Sequence, residues 1–150
     1  MCILCIFQLN AQTTREKTIG TNGGTSTVLP MATNQTSSHS QQIYTATELE
    51  IPKGSKITSL SFYVSSVPKD KNNATCNNIT VSLKNTPSVS FANDAFESTS
   101  GSSTATMPNG KFSAGWVTFN TDFTYDGQSL LVDFQGTVAD TKKHHCCNIC

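Results

Sequence analysis

The sequence predicts an all-β protein folded as one antiparallel sandwich, and three observations lead to this prediction. Alternation of apolar and polar residues with a period of two recurs along the chain, whereas helical spacing is nearly absent. Turn-forming dipeptides separate the alternating segments. The chain has 150 residues, which suits a single domain, and 52 of them are Ser, Thr or Asn. We therefore expect one modest core beneath hydroxyl-rich outer faces.

The first twelve residues have the pattern of a secretion leader. Ile3–Phe7 is apolar, and the small residue Ala11 follows where a cleavage site would lie. We expect residues 1–11 to be a short or truncated signal peptide, cleaved after Ala11; a buried first strand is the alternative. No other stretch approaches the roughly 18 apolar residues of a membrane span. The mature chain is therefore expected to be secreted or on the outer cell surface, without membrane insertion.

Four segments alternate strongly enough to predict strands with one apolar face each. The segments are Ile57–Val64, Asn78–Lys84, Trp116–Asn120 and Ser129–Gln135. Their predicted inward sets are Thr58, Leu60, Phe62 and Val64; Ile79, Val81 and Leu83; Val117 and Phe119; and Leu130, Val132 and Phe134. Weaker alternation predicts three further strands at Lys17–Thr21, Gln42–Thr45 and Thr104–Met107.

Turns and polar connections fill the intervals between these strands. Gly accepts positive φ and Pro presets φ, so three short motifs predict tight turns. They are Pro52-Lys53-Gly54, Asn109-Gly110 and Asp126-Gly127. We expect a long surface loop over Thr21–Ser40, a polar link over Ser65–Asn77 and one short helical turn at Phe91–Phe96. The sandwich domain then spans residues 12–140, and residues 141–150 form an irregular, non-native tail.

Composition and charge exclude several classes of function. Lys+Arg and Asp+Glu both number 10, so no basic excess exists to neutralise phosphates, and nucleic acid is not an expected partner. Apolar residues reach 36% without net charge, which argues against intrinsic disorder. We expect the module to be monomeric.

Catalytic constellations have weak support in the sequence. Outside the tail, His39 is the only histidine for a Ser–His–Asp set, and no G-x-S-x-G motif occurs. The carboxylate pairs Asp94 with Glu97 and Asp122 with Asp126 are explained by solvated loops and turns. We therefore expect a protein that is not an enzyme.

Metal binding has one modest candidate. Asp122 and Asp126, with nearby backbone oxygens, could supply the hard ligands of a structural calcium ion. The tail holds His144, His145, Cys146, Cys147 and Cys150, but a structural zinc site would need a second ligand pair elsewhere. Cys76 is expected to be free, with a bridge to the tail as the alternative.

Four aromatic residues are the candidates for ligand binding. Aromatic faces stack on sugars while amides and carboxylates bond the hydroxyl groups. The candidates are Tyr44, Tyr63, Trp116 and Tyr125. Core packing is the alternative for Trp116, which opens a strand after Gly115.

Several strings, in order and spacing, resemble a known module. They are Thr18–Gly20, Ser40–Leu49, Gly54, Ile57–Tyr63, Val81–Thr86, Gly115-Trp116, Phe123–Gly127 and Leu130–Val132. Over about residues 18–135 the chain resembles the jelly-roll adhesin domains of secreted surface proteins in Bacteroidetes-type bacteria, which accompany gingipain-like proteases.

The resemblance implies a jelly-roll-like sandwich and a non-catalytic role. It implies adhesion or carbohydrate recognition within a larger surface protein, with a glycan or a host or cell-surface protein as partner. A structural spacer, or an accessory domain of a secreted hydrolase, is the alternative. The chain departs from the family after Phe134, where it runs into Lys142–Cys150. We therefore expect the last strands of the sandwich to be missing.

Overall fold

The structure is a computed structural model that describes residues 3–9, 13–20, 30, 37–66, 75–107, 110–111, 113–138 and 148–149. Within these ranges the chain forms ten strands and one short helix, and all strand pairs are antiparallel. The elements are β1 Ile3–Leu9, β2 Thr13–Ile19, β3 Ser37–Tyr44, α1 Ala46–Leu49, β4 Lys56–Ser66, β5 Thr75–Thr86, β6 Ser103–Met107, β7 Gly110–Lys111, β8 Gly115–Thr124, β9 Ser129–Val138 and β10 Asn148–Ile149. The all-β class is confirmed.

The strands form two sheets. Sheet A has the order β2-β1-β4-β8, with β10 also paired to β4. Sheet B has the order β3-β9-β5-β6, with β7 also paired to β5. Successive strands change sheet at most connections, as in a sandwich, so apolar residues of both sheets face one core. The jelly-roll-like connectivity stays a prediction.

The core joins the two sheets through three phenylalanines. Phe62 and Phe119 come from sheet A, and Phe134 comes from sheet B. Phe134 meets Phe62 edge to face at 5.3 Å and Phe119 at 6.0 Å between ring centroids. All three side chains are at most 3% exposed. Such aromatic contacts add to the stabilisation that comes from burying the rings.

The four strongest strand predictions are confirmed, with one correction to a predicted face. Leu60, Phe62 and Val64 face the core as expected, but Thr58 is only half-buried while Ile57 is fully buried. The pairing of β4 with β8 shifts register between Ile57 and Ser59. The extra residue of this bulge reverses the alternation, so the inward position passes from Thr58 to Ile57.

Three weaker expectations change in extent. The strand predicted at Gln42–Thr45 begins at Ser37, so the end of the predicted Thr21–Ser40 loop is part of β3. The strand predicted at Lys17–Thr21 begins at Thr13 and ends at Ile19. The link predicted at Ser65–Asn77 is shorter, because β4 includes Ser65 and Ser66 and β5 starts at Thr75.

The helical turn lies elsewhere than expected. Phe91–Phe96 forms bends and turns, with positive φ at Asn93 and Asp94. The short helix α1 instead follows β3 and begins with a capping box, in which Thr45 and Glu48 each bond the other's backbone N–H. The backbone N–H of Thr45 lowers the pKa of the Glu48 carboxyl. Leu49 anchors α1 in the core at 0% exposure.

The two chain ends both contribute strands to sheet A. The apolar run of the expected leader forms β1, in which Ile3 and Cys5 are 0% exposed. This is the buried strand that the sequence left open as the alternative, while cleavage after Ala11 stays a prediction. Asn148–Ile149 of the tail pairs with β4 as β10, and residues 141–147 and 150 lie outside the described residues. In the described ranges, the one helix is far too short to cross a membrane.

Candidate functional site

The outer face of sheet B, turned away from the core, carries a cluster of polar side chains. β3 pairs with β9 so that His39 lies opposite Gln135 and Gln41 lies opposite Asp133. The alternation of β9 sends Val132 and Phe134 inward, and therefore sends Asp133 outward. Four polar residues of neighbouring strands thus share one patch of the sheet.

Asp133 is the centre of this cluster, although it faces outward. It is 1% exposed, and its Oδ2 accepts hydrogen bonds from His39 Nε2 at 2.5 Å and from Gln41 Nε2 at 2.8 Å. Its Oδ1 accepts a third bond from Gln135 Nε2 at 2.8 Å. A buried carboxylate is tolerated only when such donors replace water. Asp133 therefore holds His39, Gln41 and Gln135 in one fixed arrangement.

The connection between β5 and β6 is docked onto this patch. Gln41 donates to the carbonyl oxygen of Glu97 at 2.8 Å and accepts from its backbone N–H at 2.7 Å, as a neighbouring strand would. Thr86 Oγ1 donates to the Glu97 carboxylate at 3.0 Å, and Lys84 Nζ donates to the Ser98 carbonyl at 2.6 Å. These four contacts fix the segment over the outer face of sheet B.

Docking of this segment brings an exposed aromatic ring against the polar cluster. The rings of Phe96 and His39 stack with centroids 4.0 Å apart and planes at 21°. Phe96 remains 58% exposed and Phe91 36% exposed. We call His39, Gln41, Phe96, Asp133 and Gln135 the Asp133 site. It combines an exposed apolar ring with amide and imidazole groups held by a buried charge.

Two clefts flank the His39–Phe96 stack. One, of about 220 Å³, is lined by Gln41, Phe91, Asp94, Ala95 and Phe96. The other, of about 380 Å³, lies beyond His39 along Gln135, Thr137 and Asn78. Since His39 and Gln41 are two residues apart on one strand, the clefts adjoin the same stack. An extended ligand could therefore contact both clefts across the ring pair.

Residues that tolerate positive φ shape both clefts. Asn93 and Asp94 have φ of 55° and 52°, and Asn78, beside a register shift in β5, has φ of 50°. Asn and Asp adopt this left-handed region more readily than other residues with a β-carbon. The walls of the clefts therefore rest on local backbone preferences as well as on the hydrogen bonds to Gln41.

The structure separates the four aromatic residues predicted to bind a ligand. Tyr63 and Trp116 lie opposite each other on β4 and β8, with ring centroids 5.3 Å apart, and Trp116 is 42% exposed. They form a second aromatic patch, on the outer face of sheet A. Tyr44 and Tyr125 are 8% and 0% exposed and belong to the core. Burial and the neighbouring Asp126 raise the pKa of the Tyr125 hydroxyl, which donates to the Gln128 carbonyl.

The two predicted calcium ligands have other partners. Asp122 Oδ1 accepts a hydrogen bond from Lys56 Nζ. Asp126 Oδ1 accepts from the backbone N–H of Gln128 at 2.9 Å, which closes the predicted Asp126-Gly127 turn. Within the described ranges, no group of three or more His, Cys, Asp or Glu side chains is placed to hold a metal ion. The calcium site stays a prediction.

The sequence did not single out the Asp133 site, although part of its signal was present. Asp133 stood at a predicted outward position of its strand, between Leu131 and Gln135. The predicted strand at Gln42–Thr45 began too late to place His39 and Gln41 in the sheet. The pairing of Asp133 with His39 joins residues 94 positions apart, and no local pattern reveals it.

Comparison of the chain with models of protein families, with curated proteins and with solved structures finds no match. The fold and the site together define an antiparallel β-sandwich protein with a polar site, flanked by aromatic rings, on the outer face of one sheet.

Proposed function

We propose that this chain is a non-catalytic binding module, secreted or displayed on the outer cell surface, that recognises carbohydrate at the Asp133 site. The observation that carries the proposal is the exposed Phe96 ring, stacked on a His39 side chain that a buried carboxylate holds in place. Sugars present apolar C–H faces together with rings of hydroxyl groups. A protein surface that matches them needs an aromatic face beside fixed donors and acceptors.

The Asp133 site supplies both kinds of contact in a rigid form. Phe96 offers the apolar face, and the partly exposed His39 and Gln135 side chains lie beside it as polar groups. The Asp133 bonds and the paired bonds of Gln41 with Glu97 fix these groups before any ligand arrives. Fixing side chains in advance removes part of the entropy cost of binding.

The engagement of Asp133 supports binding rather than catalysis. A carboxylate that acts as a general acid or base must reach the substrate directly or through a water molecule. Asp133 is 1% exposed, and both of its oxygens accept hydrogen bonds from side chains. Its role is to position His39 and the two glutamines.

The test is a glycan array with the full-length chain, covering plant, host and microbial glycans, followed by calorimetric titration of the strongest hit. We expect Phe96→Ala to weaken binding by about tenfold or more, as loss of a central aromatic contact does at interfaces. Gln135→Ala should weaken binding as well, since it removes a hydrogen-bonding group. The matched control is Val89→Ala, because Val89 is 69% exposed in the same connection between β5 and β6 but does not belong to the Asp133 site.

Three outcomes would contradict the proposal. No binding on the array would overturn carbohydrate recognition and favour a structural spacer. Binding that is lost in Trp116→Ala but kept in Phe96→Ala would move the site to the Tyr63–Trp116 patch on sheet A. Equal losses in Phe96→Ala and Val89→Ala would show that neither side chain makes a specific contact.

A further inference from the structure

One row of sheet A is filled by two separate pieces of the chain. β1 lies between β2 and β4, with Ile3 opposite both Ile19 and Phe62. β10 lies on the same side of β4 as β1, because β8 pairs along the other side. Ile149 is opposite Val64, whereas β1 begins with Ile3 opposite Phe62, two residues earlier in β4. Both pieces run antiparallel to β4. β10 and β1 therefore follow one another in the same direction along what we call the β1 row.

The β1 row covers part of the core. Ile3 and Cys5 face inward at 0% exposure, opposite Phe62 and Leu60 of β4, which are themselves in the core. Without a strand in this row, the edges of β2 and β4 would expose unpaired N–H and C=O groups beside apolar side chains. The row therefore requires a strand with apolar residues at alternate positions.

β2 is unsuited to cover the core in place of β1. Its residues opposite Ile3, Cys5 and Phe7 are Ile19, Lys17 and Arg15, so the inward side of β2 carries two cations. Lys17 reaches the rim, where it forms an ion pair with Glu50. Moving β2 against β4 would bring these charges over the core, which is costly without compensating partners. The inward charges of β2 therefore prevent β2 from taking the place of β1 beside β4.

The segment that fills the row has the sequence pattern of a removable leader. The apolar run Ile3–Phe7 and the small residue Ala11 predict cleavage after Ala11, which would free β1 from the chain. We propose that the β1 row is a strand-acceptor groove, which binds an extended segment of another polypeptide once β1 has left it. The incoming strand runs antiparallel to β4 and carries apolar side chains opposite Phe62 and Leu60.

This mode of recognition follows from the register of sheet A. Backbone hydrogen bonds to β2 and β4 supply affinity for any extended segment, and alternate pockets supply specificity. Outward positions of the incoming strand lie opposite Thr18 and Glu16 of β2, which are both exposed, so polar side chains are tolerated there. The proposal is independent of carbohydrate binding on sheet B.

The experiment uses the full chain with a specific protease site inserted between Leu9 and Thr13. Cleavage after folding separates β1 from the rest of the chain, so that only noncovalent contacts hold it in the sheet. The cleaved protein is unfolded in urea and refolded with excess fluorescent peptide of residues 1–12, in which Cys2→Ala and Cys5→Ala prevent disulfide exchange. We expect one peptide to co-elute with each chain on size exclusion.

Three control peptides test the groove. Ile3→Lys in the labelled peptide places a charge opposite Phe62 and should weaken incorporation by about tenfold or more, since a buried charge is strongly disfavoured. Leu4→Lys, opposite the exposed Thr18 of β2, should leave incorporation within about threefold. A peptide of residues 77–85, which has the same alternation at Ile79, Val81 and Leu83, should also enter the row.

The fate of Cys5 gives a second readout that needs no refolding. In a cleaved chain whose other cysteines are Ser, excess peptide should speed maleimide labelling of Cys5 by about tenfold or more, because displacement exposes this fully buried thiol. The proposal is overturned if no peptide enters by either readout, or if Ile3→Lys and Leu4→Lys peptides enter equally. It is also overturned if only the leader sequence enters and the peptide of residues 77–85 does not.

Discussion

At the scale of single residues, Asp133 is expected to matter for stability as well as for the site. Asp133→Ala removes the acceptor of three side-chain hydrogen bonds, from His39, Gln41 and Gln135. We expect the free energy of unfolding to fall by about 1–3 kcal/mol, the usual cost of leaving buried polar groups without partners. Urea unfolding measures this change. The control is Asp122→Ala, whose exposed ion pair with Lys56 should contribute less than about 0.5 kcal/mol.

Asp133 lies on β9 and Asp122 lies on β8, but only Asp133 is buried. An equal effect of the two substitutions would contradict the role given to the Asp133 bonds. Asp133→Asn should fall between wild type and Asp133→Ala, because the amide keeps one acceptor oxygen but loses the charge that strengthens bonds to His39.

Cys5 gives a pH-dependent prediction at the same scale. Burial raises the pKa of the Cys5 thiol from its ordinary 9.0 to about 12. The folded chain therefore keeps the proton that the unfolded chain loses above pH 9.0, so this contribution to stability is present below pH 9.0 and is lost as the pH rises towards 12. In the full chain, Cys5→Val should remove that part of the dependence.

Urea unfolding of wild type and Cys5→Val between pH 8 and 10.5 checks this prediction. The difference in unfolding free energy between the two proteins should shift by about 2 kcal/mol over the range, in the direction that disfavours wild type at high pH. A constant difference would show that the Cys5 thiol is accessible to water in the folded chain.

At the scale of elements, the capping box of α1 sets where the chain turns from β3 towards β4. Thr45→Ala removes the hydroxyl that accepts the Glu48 backbone N–H. Loss of an N-cap side chain should lower the free energy of unfolding by about 1 kcal/mol, measured by urea unfolding. Thr47→Ala, on an exposed helical position two residues on, is the control and should have little effect. A larger effect of Thr47→Ala would place the stabilising contact outside the cap.

The strands and the helix also show which features of the fold a sequence pattern can predict. Strong alternation predicted β5 and β9 with their inward faces, because every second residue is apolar over several consecutive positions of each strand. β3 was found only in part, since Ser37–Gln42 is polar at inward and outward positions alike. The bulge at Thr58 has no local signal, because it depends on strands β1 and β8 far along the chain. The spacing of Thr45 and Glu48 fits a capping box, but this signal was not used to predict α1.

The candidate site was harder to predict than the fold for a related reason. Predicting the fold needs only the period of each strand, whereas the Asp133 site needs the register between strands and the path of the β5–β6 connection. Tyr63 and Trp116 were two of the predicted ligand-binding residues, and they are adjacent on sheet A because opposite positions of paired strands share a face. The partners of Asp133 depend on the pairing of β3 with β9, which no single segment of the sequence reveals.

At the scale of the whole molecule, the contact between the two sheets depends on Phe134. Its ring meets Phe62 and Phe119 of the opposite sheet, and it is 1% exposed. Phe134→Ala should lower the free energy of unfolding by about 3–5 kcal/mol, through lost burial and the cavity that remains. Phe96→Ala, which removes an equally large ring that is 58% exposed, should change the unfolding free energy by less than about 0.5 kcal/mol.

The pair of variants separates the scaffold from the site. Phe134 stands one position beyond Asp133 on β9, so the same strand holds the core on one face and the site on the other. Phe134→Ala should therefore weaken ligand binding only in proportion to the fraction unfolded, while Phe96→Ala should weaken binding with the fold intact. Urea unfolding and ligand titration, made on the same samples, test this division. Loss of binding in a Phe134→Ala chain that is still fully folded would show that core packing positions the Asp133 site directly.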